Sequence, residues 1–311
     1  MIARRALLAS APALLAAPPV RAGIAATLLV GASAGSGVDQ WARGLAPFLE
    51  RHWAHAAVTV VNRPGQGGLA MARTLAGAAA DGRTLGVVST PSLLARAVEK
   101  GQERLLESLF FVASVADEPI VLVAPAGAQP SLAAISRMAP GALMAMPPAG
   151  SAPQLLGLRL AAQLGLSPFP FANSGAVRQA VLQGHVPVAI LAAPEALPLV
   201  REGRIVALAV GGESRTDLLP DTPTLKEQGV ALSSASCKGF AIPSGTPAEL
   251  VSSISDGLSR MIADPEFLAF LESSALRPLF QGPDKWPTQV RGTLEQLALR
   301  WRQDPWAQTA G

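Results

Sequence analysis

The sequence has no tyrosine, one cysteine, three histidines and few charges, and each shortage removes a class of function. A single cysteine, Cys237, cannot form an intramolecular disulfide, so the fold must stand without one. Cys237 then reads as a small buried hydrophobe rather than a reactive thiol. His52, His55 and His185 are scattered and have one cysteine for company, which assembles no metal site and calls for no cofactor. Without tyrosine, aromatic recognition of a cation falls to five Trp and nine Phe, which are spaced mostly like core residues. Charged residues are 15% of the chain while 50% are apolar, so intrinsic disorder is excluded.

Acidic residues are also missing from one place. Residues 1–22 contain Arg4, Arg5 and Arg21 but no Asp or Glu. They account for the whole formal net charge of +3, and the remaining chain balances 22 basic against 22 acidic groups. A neutral body lacks the clustered cations that nucleic acid requires. Residues 1–22 read as an export signal: a basic start, an apolar stretch from Ala6 to Val20, and Val20-Arg21-Ala22 suited to cleavage after Ala22. Pro12, Pro18 and Pro19 interrupt the stretch, which is also too short to span a bilayer. Arg4-Arg5 permits a twin-arginine signal, and ordinary secretion fits equally well. Later, the charge-free run from Met138 to Leu158 is broken by four prolines, unsuited to lipid. A soluble, exported, disulfide-free chain of this size points to the bacterial periplasm.

Apolar runs alternate with helical patterns. Strands are expected at 26–30, 58–61, 84–88, 110–115, 120–124, 143–146, 186–191 and 205–210, and helices at 38–53, 69–80, 131–138, 153–164, 174–183 and 194–202. Continuous apolar strands between helices predict an α/β fold with parallel sheets covered on both faces. After Pro243-Ser244-Gly245-Thr246-Pro247 the pattern turns helical, with Thr246 as a cap, Pro247 at the first position and Glu249 at the third. Two α/β domains are expected: 23–123 with 236–311 as the first, and 124–235 as the second.

The chemistry-bearing segments are loops. Gly31 to Asp39 lies between a buried strand and an amphipathic helix, where small residues let backbone N–H groups at a helix start meet an anion. It also reads as an ordinary strand–helix turn with Ser36 as cap. It lacks the lysine of a Walker loop, and Gln40 breaks a dinucleotide fingerprint. Gly31-Ala32-Ser33-Ala34-Gly35 matches the G-x-S-x-G nucleophile elbow, which would make Ser33 the nucleophile of a hydrolase. That reading is the weaker one, because the three histidines have blander roles and the elbow belongs in mid-sheet. Pro147 to Pro153 and Phe171 to Gly175 are further strand-to-helix loops, and the three loops without a general base favour small-anion binding over catalysis.

At this point the chain resembles the Bug-type extracytoplasmic solute-binding receptors of tripartite tricarboxylate transporters. Asn62-Arg63-Pro64-Gly65-Gln66-Gly67-Gly68 matches N-R-P-G-x-G-G, and Asp81-Gly82-Arg83-Thr84-Leu85 matches D-G-x-T-L. Gly203 to Val210 is similar to G-K-L-R-A-L-A-V, Leu219 to Thr224 to L-P-D-V-P-T, and Pro243 to Pro247 to P-A-G-T-P. Ala263-Asp264-Pro265-Glu266 follows as A-D-P-E, so the ordered set covers nearly all of the mature chain.

The resemblance implies a two-lobed type II periplasmic binding fold that closes, like a Venus flytrap, on a small carboxylate. Its P-G-G-x-x-D falls on Ala34, Gly35, Ser36, Gly37, Val38 and Asp39, making Ala34, Gly35, Ser36, Gly37 and Asp39 the expected anchor, with Ser89 and Thr90 beside them. Gly150, Ser151, Ala152 and Asn173 are expected to approach from the second domain, with Leu191 shaping the pocket. Departures from the family are Gln154 for histidine, Phe171-Ala172-Asn173-Ser174 for Y-K-G-G, Pro187 for aspartate and Ile190-Leu191-Ala192 for F-D-N. These losses of polar groups imply a ligand with one anionic end and a less polar remainder, a monocarboxylate rather than a tricarboxylate. The expected protein is a monomeric, non-catalytic receptor serving membrane transporter subunits. A receptor feeding a signalling membrane protein is the alternative.

Overall fold

A computed structural model describes residues 25–54, 57–127, 131–135, 137–138 and 140–307. The expected export segment and His55 lie outside the described residues. The chain begins with β1 (Ala26–Val30), α1 (Gly37–Leu49), β2 (Val58–Asn62), α2 (Leu69–Ala76), β3 (Thr84–Thr90), α3 (Ser92–Glu99), α4 (Glu103–Glu107) and β4 (Leu109–Glu118). It then builds β5 (Ile120–Pro125), α5 (Leu132–Ile135), β6 (Leu143–Met146), α6 (Ala152–Leu164), β7 (Ser167–Pro170), α7 (Ser174–Leu182), β8 (Val188–Ala192), α8 (Ala193–Arg201) and β9 (Ile205–Val210). It finishes with β10 (Ser236–Pro243), α9 (Ala248–Ile262), α10 (Pro265–Ser273), β11 (Arg277–Gln281) and α11 (Trp286–Gln303).

The strands form two sheets, ordered β11-β4-β10-β3-β1-β2 and β7-β6-β8-β5-β9. Alternation within each strand covers both faces of both sheets. Leu28 and Val30 face a cluster with Trp41 and Leu45, while Leu29 faces Leu75 and Leu94 on the other side. In the second sheet, Ile120 and Leu122 meet Leu156 and Leu160, and Val121 and Val123 meet Val177 and Leu197. This burial on both faces explains the unbroken apolar strands.

The sheets are mixed rather than parallel. β10 runs antiparallel to β3 and β4, β11 antiparallel to β4, and β5 antiparallel to β8 and β9. The cause is the chain path: β4 passes straight into β5 across Pro119, and β9 leads back to β10, so each lobe receives strands from the other. The step between sheets thus falls at Pro119, and Val123 lies within β5.

Local chemistry moved several ends. α1 stops at Leu49 and continues as a π-helical turn, Glu50–Ala54, just after Pro47, which has no N–H to give the helix ladder. α2 closes at Gly77, short of the expected Ala80. The proposed cap at Thr246 does not form. Pro247 is the cap position, and the Thr246 hydroxyl donates to the Pro243 carbonyl instead. β10, β7 and β11 escaped the periodicity because Lys238 and Gly239 interrupt the first and prolines the other two.

Candidate functional site

A cleft of about 790 Å³ opens between the lobes. Five helices start on it: α1 through Ser36 and Gly37, α3 through Ser92, α6 through Ser151 and Ala152, α7 through Ser174, and α8 through Pro194 and Glu195. All follow strands, so the cleft sits at the carboxyl ends of strands, where α/β sheets place ligands.

The first loop is held rigidly from beneath. Asp39 is buried and accepts from Gly35 N–H at 2.8 Å, Asn62 Nδ2 at 2.8 Å and Arg43 Nε at 3.0 Å. Asn62 also donates to the Ala32 carbonyl at 3.0 Å, which explains the asparagine that opens the N-R-P-G segment. Gly35 has φ +79°, a conformation that a side chain would strain. The Arg43 guanidinium, then the Gly35 N–H and the Asn62 amide, hold the Asp39 carboxyl down at about 2. Ser36 caps α1 by accepting from Asp39 N–H. The N–H groups of Gly37 and Val38, in the first helical turn, have no intrahelical acceptor. Gly37 and Val38 line the cleft, as does Trp41, whose buried Nε1–H has no partner among the described residues.

The floor of the cleft is made by the strands that join the lobes. Lys238 on β10 pairs with Glu118 at the end of β4, Nζ to Oε1 at 3.1 Å, and Glu118 Oε2 accepts from the Ser236 hydroxyl at 3.1 Å. Lys238 Nζ also lies 5.9 Å from the centre of the Trp41 ring. Across the cleft stands Glu195, whose carboxyl is pushed up by burial and by nearby Glu118, and pulled back by the Ser174 hydroxyl and the Ala192 N–H. Trp41, Met71, Val87, Val88, Leu93 and Phe270 supply apolar walls.

Of the expected site residues, Ser36, Gly37, Ser89, Ser151 and Ala152 line this cleft. Ala34, Gly35, Asp39, Thr90, Gly150, Asn173 and Leu191 do not. Gly35 and Asp39 act beneath the loop, on each other. Leu191 is fully buried on the far face of β8 among Val121, Val177 and Ala189. Asn173 is exposed and caps α7 by accepting from Ala176 N–H at 2.9 Å. Thr90 is buried at the end of β3, opposite Cys237. Burial pushes the Cys237 thiol up to about 12.

Gly150 serves a contact between lobes. Its N–H donates to Gln154 Oε1 at 3.1 Å, and Gln154 Nε2 donates to the Trp306 carbonyl at 2.8 Å. Trp306 Nε1 in turn donates to Glu99 Oε1 at 2.6 Å, while Arg96 binds Glu99 and donates to the Ala149 carbonyl at 3.1 Å. The chain's C-terminal segment and α3 thereby hold the loop that starts α6. Gln154, where the family pattern has histidine, has a structural task there.

Sequence reasoning missed Glu118, Glu195 and Lys238. The signal was present: each is a charge in or beside an apolar strand. The Ser33 elbow gains no base among the described residues. Ser33 is exposed and outside the cleft lining, and His52 binds Asp264 at 2.6 Å beyond the far end of α1, about 20 Å along the helix. His185 is exposed in the turn after α7.

Residues 42–288 match the family model described as the tripartite tricarboxylate transporter family receptor. A UPF0065 protein from the gbd 5' region of Cupriavidus necator is 27% identical over 276 residues, covering 86% of this chain and 84% of that protein. Protein BugT of Bordetella pertussis is 27% identical over 279 residues, with the same coverage of 86% and 84%. Among solved structures, a TctC solute-binding protein from Polaromonas superposes with a TM-score of 0.76 at 21% identity, covering 89% of this chain and 98% of that one. MatC from Rhodopseudomonas palustris, with bound malate, gives 0.68 at 24% identity over 89% and 97%. A further R. palustris protein, with adipate, gives 0.70 at 23% over 89% and 95%. The two-lobed architecture, the cleft between the lobes and a family match spanning most of the chain lead to one conclusion: this protein belongs to the receptor family of the tripartite tricarboxylate transporters.

Proposed function

We propose that the protein is a periplasmic receptor that captures a small carboxylate between its lobes and delivers it to integral membrane transporter subunits, without catalysis. The observation that carries this reading is the first-lobe wall of the cleft. Gly37 and Val38 N–H groups, the unpartnered Trp41 indole N–H and the Lys238 ammonium are all donors on residues lining one side. Helix-start N–H groups and their dipole favour a carboxylate without a globally positive surface. The relatives solved with malate and adipate support the same ligand class. Apolar walls and a single lysine favour one anionic end with a less polar remainder.

The lobes proposed to move against each other are 25–118 with 236–307, and 120–235, hinged at Pro119 and near Ser236. One chain supplies the whole cleft, so a monomer is the proposed working unit. A thermal-shift panel of mono-, di- and tricarboxylates, followed by small-angle scattering with the best ligand, tests the reading. Stabilisation with compaction is the expected result. No shift by any carboxylate would overturn it, and stabilisation by citrate without any monocarboxylate would overturn its finer form.

A further inference from the structure

The charges that line the cleft do not balance. Among the described lining residues they are Lys238, Glu118 and Glu195. Lys238 and Glu118 neutralise each other at 3.1 Å, which leaves Glu195 over. Glu195 sits on the second-lobe wall at the third position of α8, beside Ser174. Its favourable neighbours are neutral, the Ser174 hydroxyl and the Ala192 N–H, and it forms no ion pair among the described residues. The charged groups within influence are Glu118, which repels it, and Arg178, which attracts it without pairing. The walls therefore differ in charge: the first lobe carries the Lys238–Glu118 pair, and the second carries Glu195 with no cation beside it.

Resting on the carboxylate-receptor reading above, we infer that the ligand is an amino-substituted monocarboxylate, whose carboxylate meets the start of α1 and Lys238 while its ammonium meets Glu195 and Ser174. A dicarboxylate would bring a second anion against an acid with no cation to share. An unsubstituted monocarboxylate would leave Glu195 desolvated in the closed cleft. An ammonium supplies three donors and the missing charge. The apolar walls then hold the hydrocarbon between the two ends. Closure joins the start of α1 and Lys238 to Glu195 through one molecule, so both ends are needed for the lobes to stay shut.

Glu195 also has a bland duty, since an acid in the first turn of α8, near the Ala192 N–H, favours the helix start. Glu195→Gln keeps an acceptor at that position and removes only the charge, which separates the two roles. The experiment is calorimetric titration of the full mature chain with valerate, 2-aminovalerate, 5-aminovalerate and glutarate, for the native protein and for Glu195→Gln. One amino derivative should bind at least about tenfold tighter than valerate or glutarate. In Glu195→Gln that preference should shrink to about threefold or less, with the ligand-free melting temperature little changed. Valerate or glutarate binding as tightly as both amino derivatives would overturn the inference and leave the receptor reading intact. An amino preference unchanged in Glu195→Gln would overturn the assignment to Glu195. Binding by none of the four would count against both.

Discussion

Lys238 Nζ lies 3.1 Å from Glu118 Oε1, joining the two strands by which the chain leaves the first lobe and returns to it. Both side chains are mostly buried, and the second Glu118 oxygen, Oε2, accepts from the hydroxyl of Ser236, the residue opposite Glu118 in the ladder. The pair thus belongs at once to the hinge and to the cleft floor.

Lys238→Met removes the cation and leaves Glu118 partly buried with one hydroxyl donor. We expect a stability loss of about 1–3 kcal/mol in urea unfolding, with weaker carboxylate binding. Adding Glu118→Gln should recover most of the stability and none of the affinity, because the second change removes the stranded charge but restores no ligand donor. A single variant as stable as the native protein would show that the pair is effectively solvated.

Gly37→Asp tests the start of α1 directly. A Cβ at Gly37 meets nothing within 4 Å, so the fold should tolerate the change. The new carboxylate would occupy the positive end of the helix and repel the ligand. Affinity for the best carboxylate should fall by at least about tenfold in calorimetry while the ligand-free melting temperature holds. Undiminished affinity would remove this loop from the site.

Gly150→Ala addresses the contact between lobes. Gly150 has φ +76°, and a Cβ there would lie 2.6 Å from Glu99 Oε1. The strained backbone and the displaced Glu99 should lower stability by about 1–3 kcal/mol. Loss of the Glu99–Trp306 contact should appear as faster hydrogen exchange in the C-terminal segment, read by mass spectrometry. Unchanged exchange there would show that Trp306 is held by packing alone.

Asp39 sets an acid limit on the first loop. Its folded-state carboxyl is lowered from 3.8 to about 2, so its stabilisation is complete above the ordinary carboxylate range and is lost as pH falls through about 2. Asp264, lowered to about 2 chiefly by His52, adds a second loss in the same window. Melting temperature should therefore drop between about pH 4 and pH 2. In Asp39→Asn that drop should be smaller, and an identical pH profile would show that the Asp39 network contributes nothing.

Much of this protein could be read along the chain because its signals are local. The buried strands announce themselves as apolar runs, such as Ala26–Val30 and Val188–Ala192, since both faces of each sheet are covered. Ser36, Ser151 and Asn173 were legible as helix starts because a cap depends only on the next three residues. Pairing was not legible. Strand direction depends on where the chain re-enters a sheet, and Pro119 carries it from one lobe to the other within a single residue. Asp39 looked like a ligand group in the sequence and is a brace in the structure, because Asn62 and Arg43 meet it from below. Glu118, Glu195 and Lys238 lie far apart in sequence, and their shared cleft exists only once both lobes have folded. Composition and local pattern sufficed for the fold class and for the loops that start helices on the cleft. Which charges face one another depends on distances through space, and only the folded chain sets those.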